Sequence, residues 1–321
     1  TAVTVVIIGV VNNSDTRRCE LYSQTVMTEP VQISPYLTPG STLVQKRKRP
    51  ISSLPYMIKG NMPYDGGYLL MDVTTKNHIV EQDRRVLQYM RRIVGSDEFI
   101  NGIERWCFWI TDDKADAALE IPIIKERADL VRDLRLGKSD KSAQRLAAYP
   151  YRFREMHETT TNSLVIPSVS SENREYVPVG FVDKKTVVTN LAFVIYDCDP
   201  WIFGVVSSKM HNLWIKAVCG GLETRIRYSS ELGYNTFPFP AITDEQKKDI
   251  RNCVNQVIAA REEEFDKTYA QMYKKDEMSD DLRFAHSMLD LQIERCYRDE
   301  PFVSDDERLD CLFELYEKIG G

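Results

Sequence analysis

The sequence predicts an α+β protein: a mixed, β-rich body with inserted helices, followed by a small all-α bundle. Three observations predict it. Between residues 163 and 240, short runs of Val, Ile, Thr, Tyr and Phe alternate with Gly, Pro, Ser and Asn, the pattern of brief strands and turns. After Phe237-Pro238-Phe239-Pro240 the chain changes to capped, amphipathic helical segments. Charge changes sign at the same place. Residues 1–240 hold 30 Lys and Arg against 27 Asp and Glu, a net of +3, whereas residues 241–321 hold 12 against 21, a net of −9. The formal net charge of −6 therefore leaves room for a polyanionic partner on the first part alone.

Taken in order, the apolar run 1–11 (Thr1 to Val11) reads as one buried strand, because it lacks the basic flank of a signal peptide. Residues 12–64 are rich in Pro, Ser, Asn and Gly and read as loop with short strands. The apolar spacing of Val80, Val86, Leu87, Met90, Ile93 and Val94 predicts a helix over 80–94. Ile103–Ile110 is a strand, and 121–147 a basic amphipathic helical region carrying Lys125, Arg127, Arg132, Arg135, Lys138, Lys141 and Arg145. Strands are expected at Ser163–Ile166, Glu175–Phe181, Thr186–Tyr196, Trp201–Val206 and Leu222–Tyr228, with a short helix over 207–219. Thr243–Gln246, Ser279–Asp281 and Ser304–Glu307 each open a helix of the terminal bundle. The expected divisions are 1–39, 40–240 and 241–321.

Enzymatic signals are poor. No GxGxxG, Walker loop, HExxH or GxSxG occurs, and the four His residues (78, 157, 211, 286) stand apart from one another. Asp197 and Asp199 beside Cys198 suggest a turn before Pro200 more readily than a metal site. The run Glu262–Asp266 reads as a solvated helix face. Seven scattered Cys without a CxxC pair argue for a reducing, cytoplasmic compartment, and no apolar stretch of membrane-spanning length exists. Chemistry is carried instead by polar residues at strand spacing. In Leu222–Tyr228, alternation sets Glu223, Arg225 and Arg227 on one face and Leu222, Ile226 and Tyr228 on the other. Arg can bond guanine in bidentate fashion and Glu can accept from the cytosine amino group. The same spacing also describes a wet sheet face with internal Glu–Arg pairs. The basic helix region, the tract Lys46-Arg47-Lys48-Arg49, and the pairs Arg84-Arg85 and Arg91-Arg92 are candidates for phosphate contact.

Several segments are specific enough to name a family. They include Met57-Ile-Lys-Gly60, Met62-Pro-Tyr-Asp-Gly-Gly67, Gly95-Ser-Asp-Glu98, Arg105-Trp-Cys-Phe-Trp-Ile110 and Ser170-Ser-Glu-Asn-Arg174. Ser208-Lys-Met-His-Asn-Leu-Trp214, Tyr234-Asn-Thr-Phe-Pro-Phe-Pro240, Ala285-His286 and Cys296-Tyr297 follow in order. On these the chain resembles the C-terminal half of the MmeI-like adenine-N6 DNA methyltransferases of restriction-modification systems. The resemblance implies a DNA target-recognition domain over 40–240 and a helical C-terminal domain over 241–321. Residues 1–39 then correspond to the end of a methyltransferase domain and its linker. It implies no catalytic residue, cofactor or metal in this chain. S-adenosylmethionine, and magnesium where a nuclease is present, belong to the parent protein, as does an upstream methyltransferase domain partnering this part on double-stranded DNA. By resemblance Glu223, Arg225 and Arg227 read bases, and Asn190 and Leu191, on an earlier strand, form a second reading position. The turn Ser170, Ser171, Glu172, Asn173, Arg174 is a third contact. The helical bundle is then a buttress. Two other readings remain at this stage. One is a self-contained metal-dependent hydrolase using Asp197, Asp199 or Glu262–Asp266; the other is a protein-binding adaptor built on the terminal helices.

Overall fold

The computed structural model describes residues 7–10, 18–23, 26–171, 173–219, 221–222 and 225–320. It divides into two compact units, residues 1–44 and 45–321. In the first, β1 (Leu21–Ser23) and β2 (Val26–Thr28) form a short antiparallel ladder. Ser34 Oγ accepts from the Tyr36 and Thr38 N–H groups and shapes a tight turn. Residues 7–10 form no strand; the rest of the expected strand over 1–11 lies outside the described residues.

The strands of the second unit are β3 (Ile58–Lys59), β4 (Leu70–Asp72), β5 (Met90–Val94), β6 (Arg105–Phe108), β7 (Asn162–Pro167), β8 (Val169–Ser170), β9 (Gly180–Asp183), β10 (Val187–Val188), β11 (Ala192–Tyr196), β12 (Gly221–Leu222) and β13 (Arg225–Arg227). They make three sheets, ordered β10-β5-β6-β4, β3-β11-β7-β9 and β12-β13-β8. Its helices are α1 (Val73–Gln82), α2 (Ser96–Asn101), α3 (Ala115–Leu119), α4 (Pro122–Leu136), α5 (Lys141–Leu146), α6 (Pro200–Ser207), α7 (Lys209–Val218), α8 (Asp244–Glu262), α9 (Tyr269–Met272), α10 (Asp280–Glu294) and α11 (Asp305–Gly320). One core lies between the first sheet and α4, with Phe108, Ile110, Ile124, Val131 and Phe153 fully enclosed. A second, around Val165, Val188 and Val194, lies against α2.

Three sequence expectations are corrected. The helix expected over 80–94 ends at Gln82. Asp83 accepts the N–H of Arg85 and opens a 3-10 turn, Arg84–Tyr89, and 90–94 is strand β5. The apolar positions of 86–94 suit both periods, and pairing with β6 decides between them. The expected strand Trp201–Val206 is helix α6: Asp199 caps it and Pro200 supplies a ready-made first turn. Finally, Thr186–Tyr196 is not one strand. Val187–Val188 pairs parallel with Ile93–Val94 in the first sheet, while Ala192–Tyr196 pairs antiparallel with β7 in the second.

The terminal helices start where their caps predict. Thr243 and Gln246 bond reciprocally, side chain to N–H, at 3.1 and 2.9 Å. Ser279 caps α10 through Leu282 N–H, and Ser304 accepts from Glu307 N–H. Their apolar faces are buried against α6 and α7. Ile250, Val254 and Leu289 close over Gly204, and Phe313 and Tyr316 hold the enclosed Trp214 ring at 5.2 and 5.6 Å.

Candidate nucleic-acid interface

The sheet β12-β13-β8 carries two of the sequence-predicted segments side by side. Ile226 is opposite Ser170 and Arg227 opposite Val169. Gly221 is opposite Ile226 and Leu222 opposite Arg225, antiparallel. In place of the one continuous strand expected over Leu222–Tyr228 there are two, β12 and β13, paired antiparallel with each other. Glu223, expected on the same face as Arg225 and Arg227, lies outside the described residues. Positions 225 and 227 do share a pleat face, and Arg227 is exposed. Tyr228, 5% exposed, turns inward, with its Oη 2.8 Å from His211 Nε2 and its ring packed on Phe193.

Asn190 and Leu191 are not on a strand. They form the turn by which the chain crosses from β10 to β11. Thr189 N–H donates to Val94 O at 2.8 Å, and Asn190 N–H to Asn61 O at 3.0 Å. Leu191 presents 59% of its surface to solvent. Its carbonyl is held by two hydroxyls, Ser96 Oγ at 2.6 Å and Ser168 Oγ at 2.8 Å. Ser96 Oγ in turn accepts the Ser168 N–H at 2.9 Å, and Ser168 O accepts Tyr228 N–H at 3.0 Å. One serine node thus ties the 190–191 turn to the entry of β8 and the exit of β13. Gly60 faces the same turn so closely that a Cβ there would meet the carbonyl oxygens of Val188 and Thr189 at 2.4 Å. Beneath the turn, a cavity of about 150 Å3 is lined by Asn190, Leu191, Ile93, Glu98 and Arg105. Burial pushes the Glu98 carboxyl up, but Arg105 at 2.6 Å and N–H groups including Gly95's hold it below its ordinary value.

In the third segment, Ser170 points inward, 4% exposed, and its hydroxyl has no partner. Ser171 folds the following turn by accepting Asn173 N–H on Oγ and Arg174 N–H on its carbonyl. Asn173 is exposed and Arg174 half-buried; Glu172 lies outside the described residues. The tract Lys46–Arg49 is exposed and pinned to the turn that follows β13. Arg47 N–H donates to Glu231 O, and Asn235 Nδ2 donates to Arg47 O. Arg49 lies over the Tyr56 ring.

The basic helix region is corrected in part. Arg135, expected on a phosphate-facing surface, is fully buried. Its five N–H···O bonds go to the carbonyls of Pro63, Tyr64, Leu146, Tyr149 and Arg152, at 2.8–3.2 Å. Arg127 donates to Tyr68 O, while Lys125 and Arg132 both pair with Asp129. Arg85 pairs with Asp83 and Arg91 with Glu158. Two of the acids weighed for a hydrolase, Asp197 and Asp199, are occupied too. Asp197 accepts from Thr159, Thr160 and Thr161, and those hydrogen bonds hold it well below the usual carboxylate range. Asp199 caps α6 and takes a bidentate pair from Arg251 at 2.8 Å. Among the described residues no group of three His, Cys, Asp or Glu could hold a metal, and no helix is long and apolar enough to cross a membrane.

Fold and surface together define a recognition body braced by a helical domain. Family models agree on both parts: the one described as MmeI, target recognition domain, matches residues 39–241, and the one described as MmeI, C-terminal domain, matches 242–320. The chain belongs to the MmeI family. It is 42% identical over 288 residues to DNA methyltransferase A of Bacillus subtilis (strain 168), covering 89% of this chain and 33% of that protein. It thus spans about a third of that relative's length. The solved structure of the Type IIL restriction-modification enzyme MmeI in complex with DNA superposes with a TM-score of 0.87 at 34% identity, over 96% of this chain and 42% of that one. Ser96, Ser168 and Gly60 were not singled out as site residues by sequence reasoning, although Gly95-Ser-Asp-Glu98 and Met57-Ile-Lys-Gly60 stood among the family-like stretches.

Proposed function

We propose that this chain is the sequence-reading part of an adenine-N6 DNA methyltransferase of a restriction-modification system. It binds duplex DNA and positions the target adenine for flipping into a catalytic domain that the chain itself does not contain. The observation that carries the reading is the convergence of three segments, Asn190–Leu191, Ser170–Arg174 and Arg225–Arg227, on one serine-linked node in a chain of this family. Division of labour follows from the chemistry. Cations set the register on phosphate, and the polar side chains of the node read base edges in the major groove. Asn190 suits adenine, and Leu191 a thymine methyl. Glu223, Arg225 and Arg227 suit cytosine and guanine, each good bidentate pair giving about 1–3 kcal/mol of discrimination.

S-adenosylmethionine belongs to the parent in this reading. Its usual cradle is the carboxyl edge of a parallel sheet beside a glycine-rich turn. Among the described residues the only parallel ladder joins β5 to the two-residue β10, with no such turn in the sequence. These residues do not fit the cofactor.

The test is selection from a random duplex pool at two salt concentrations, with Glu223→Ala and Arg225→Ala beside the unaltered chain. A short enriched motif that relaxes at single positions in the variants is expected. Salt-sensitive binding with no motif, identical in all three proteins, overturns base readout by this strand.

A further inference from the structure

We infer that a cationic pocket between the recognition body and the C-terminal helical domain grips a phosphate of the DNA backbone, with Arg174, Lys216 and Lys275 as its contacts. The inference rests on the DNA-reading proposal and extends it to the domain that the sequence cast only as a buttress. The pocket encloses about 380 Å3. Its cations come from three separate places: Arg174 from the turn leaving β8, Lys209 and Lys216 from α7, and Lys275 from the segment between α9 and α10.

The charge accounting is uneven. Two acids line the pocket, Glu175 and Asp305, and both are already engaged. Glu175 is paired with Arg283, and Asp305 with Lys209 at 3.0 Å and Arg308 at 3.1 Å. Arg174, Lys216 and Lys275 have no carboxylate of their own among the described residues. Burial lowers the pKa of Arg174, and it lowers that of Lys216 against the opposing pull of Asp305 and Glu175, the sign of cations crowded by protein and not fully neutralised. Asn212 forms part of the wall, 6% exposed. Its Nδ2 donates to Glu175 O at 2.7 Å, and its Oδ1 has no partner, an acceptor free to hold a bridging water.

Position selects the backbone of the duplex as the occupant. Ser170 lies opposite Ile226 in the candidate reading sheet, and Arg174 is four residues further along. Four residues reach at most ~14 Å, and the major groove is about 12 Å wide. A strand reading base edges therefore leaves Arg174 within reach of the phosphates on the groove's rim. Phosphate contacts of this kind add affinity and register but no sequence information.

The experiment uses the full chain and a duplex recovered by the selection above, titrated over a range of salt. Lys216→Gln, Lys275→Gln and the double variant are compared with Lys248→Gln, an equal loss of charge on the exposed face of α8. Each lost phosphate contact lowers the slope of log affinity against log salt by about 0.9, or about eightfold in affinity at 0.1 M salt. The double variant loses about twice that slope, Lys248→Gln none, and the enriched motif stays the same in all. Unchanged slopes in the pocket variants, with the unaltered chain binding normally, overturn this inference and leave the DNA-reading proposal standing. Equal losses in Lys248→Gln also overturn it, because net charge alone then explains them. No salt-dependent binding by the unaltered chain overturns both.

Discussion

At the scale of the residue, type and spacing mislead whenever a side chain has a use inside the protein. Arg135 sits in a basic helix at the spacing of a phosphate contact, yet its guanidinium is wholly enclosed by main-chain carbonyls. Five donors in one plane match five acceptors gathered from the Pro63–Tyr64 turn and from residues 146–152; an ammonium has three donors. Arg135→Lys therefore leaves at least two buried carbonyls without a partner. At roughly 1–3 kcal/mol each, the variant is expected to lose about 2–6 kcal/mol, read from the midpoint of urea unfolding. It leaves the salt slope of DNA binding unchanged, since no phosphate contact is lost. A fall in that slope at unchanged stability would restore the surface reading of this arginine. The serine node shows the opposite failure. Ser96 and Leu191 are 95 residues apart and Ser96 and Ser168 are 72 apart, so no local pattern announces that two hydroxyls will hold one carbonyl.

At the scale of the element, local signals that carry their own hydrogen bonds were legible. The helices α8, α10 and α11 begin at Thr243, Ser279 and Ser304 because each cap closes within three residues. Where only apolar composition was available, the assignment depended on contacts distant in sequence. Residues 201–206 are apolar throughout and carry no period, so helix and strand look alike; α8 and α10 packing over α6 decides. Gly204 marks that crossing. A Cβ there would stand 2.5 Å from Ile250 Cγ2 and 3.1 Å from Leu289 Cδ1. Intrinsic propensity alone would favour alanine by about 1 kcal/mol. Overpacking outweighs it, and Gly204→Ala is expected to destabilise by about 1–3 kcal/mol. A raised unfolding midpoint would show that α8 and α10 yield, and would contradict a tight crossing. The reading segments obey the same logic. Their residue types were legible as candidates for base-reading chemistry, but the break at Thr189–Leu191 is set by which sheet each half joins, Val187–Val188 the first and Ala192–Tyr196 the second.

At the scale of the whole molecule, three buried titratable groups set the response to acid, and they do not act together. His211 and His286 are enclosed, each against a tyrosine hydroxyl, and burial depresses the first to about 3 and the second well below its ordinary value. Asp290, between Tyr176 Oη and Lys209 N–H at 2.7 Å each, is pushed up to about 7, chiefly by burial. Below the ordinary histidine value of 6.5, the unfolded chain takes up two protons that the folded histidines refuse. Their contribution is complete above that value and is lost as pH falls. Asp290 has the opposite sign: from about 7 down to its ordinary 3.8, the folded chain holds a proton that the unfolded chain has released, so its contribution grows on acidification. Between roughly pH 4 and 6.5 the difference is two protons against one. Stability then falls at about 1.4 kcal/mol per pH unit for the single uncompensated proton. Asp290→Asn removes the opposing group, keeps an acceptor for Lys209 N–H, and reverses the Tyr176 bond, the amide NH2 donating to the Tyr176 Oη that donates in the native chain. Its acid slope is expected to double over that window, measured by urea unfolding at successive pH values. A slope that stays the same or flattens would mean that Asp290 is already ionised in the folded chain. His211 bonds Tyr228, the residue that follows β13, so part of this acid loss falls beside the strand proposed to read DNA. The prediction therefore extends to binding. Base preference is expected to weaken on acidification, and circular dichroism recorded beside duplex titrations separates that loss from unfolding of the terminal helices, where His286 lies.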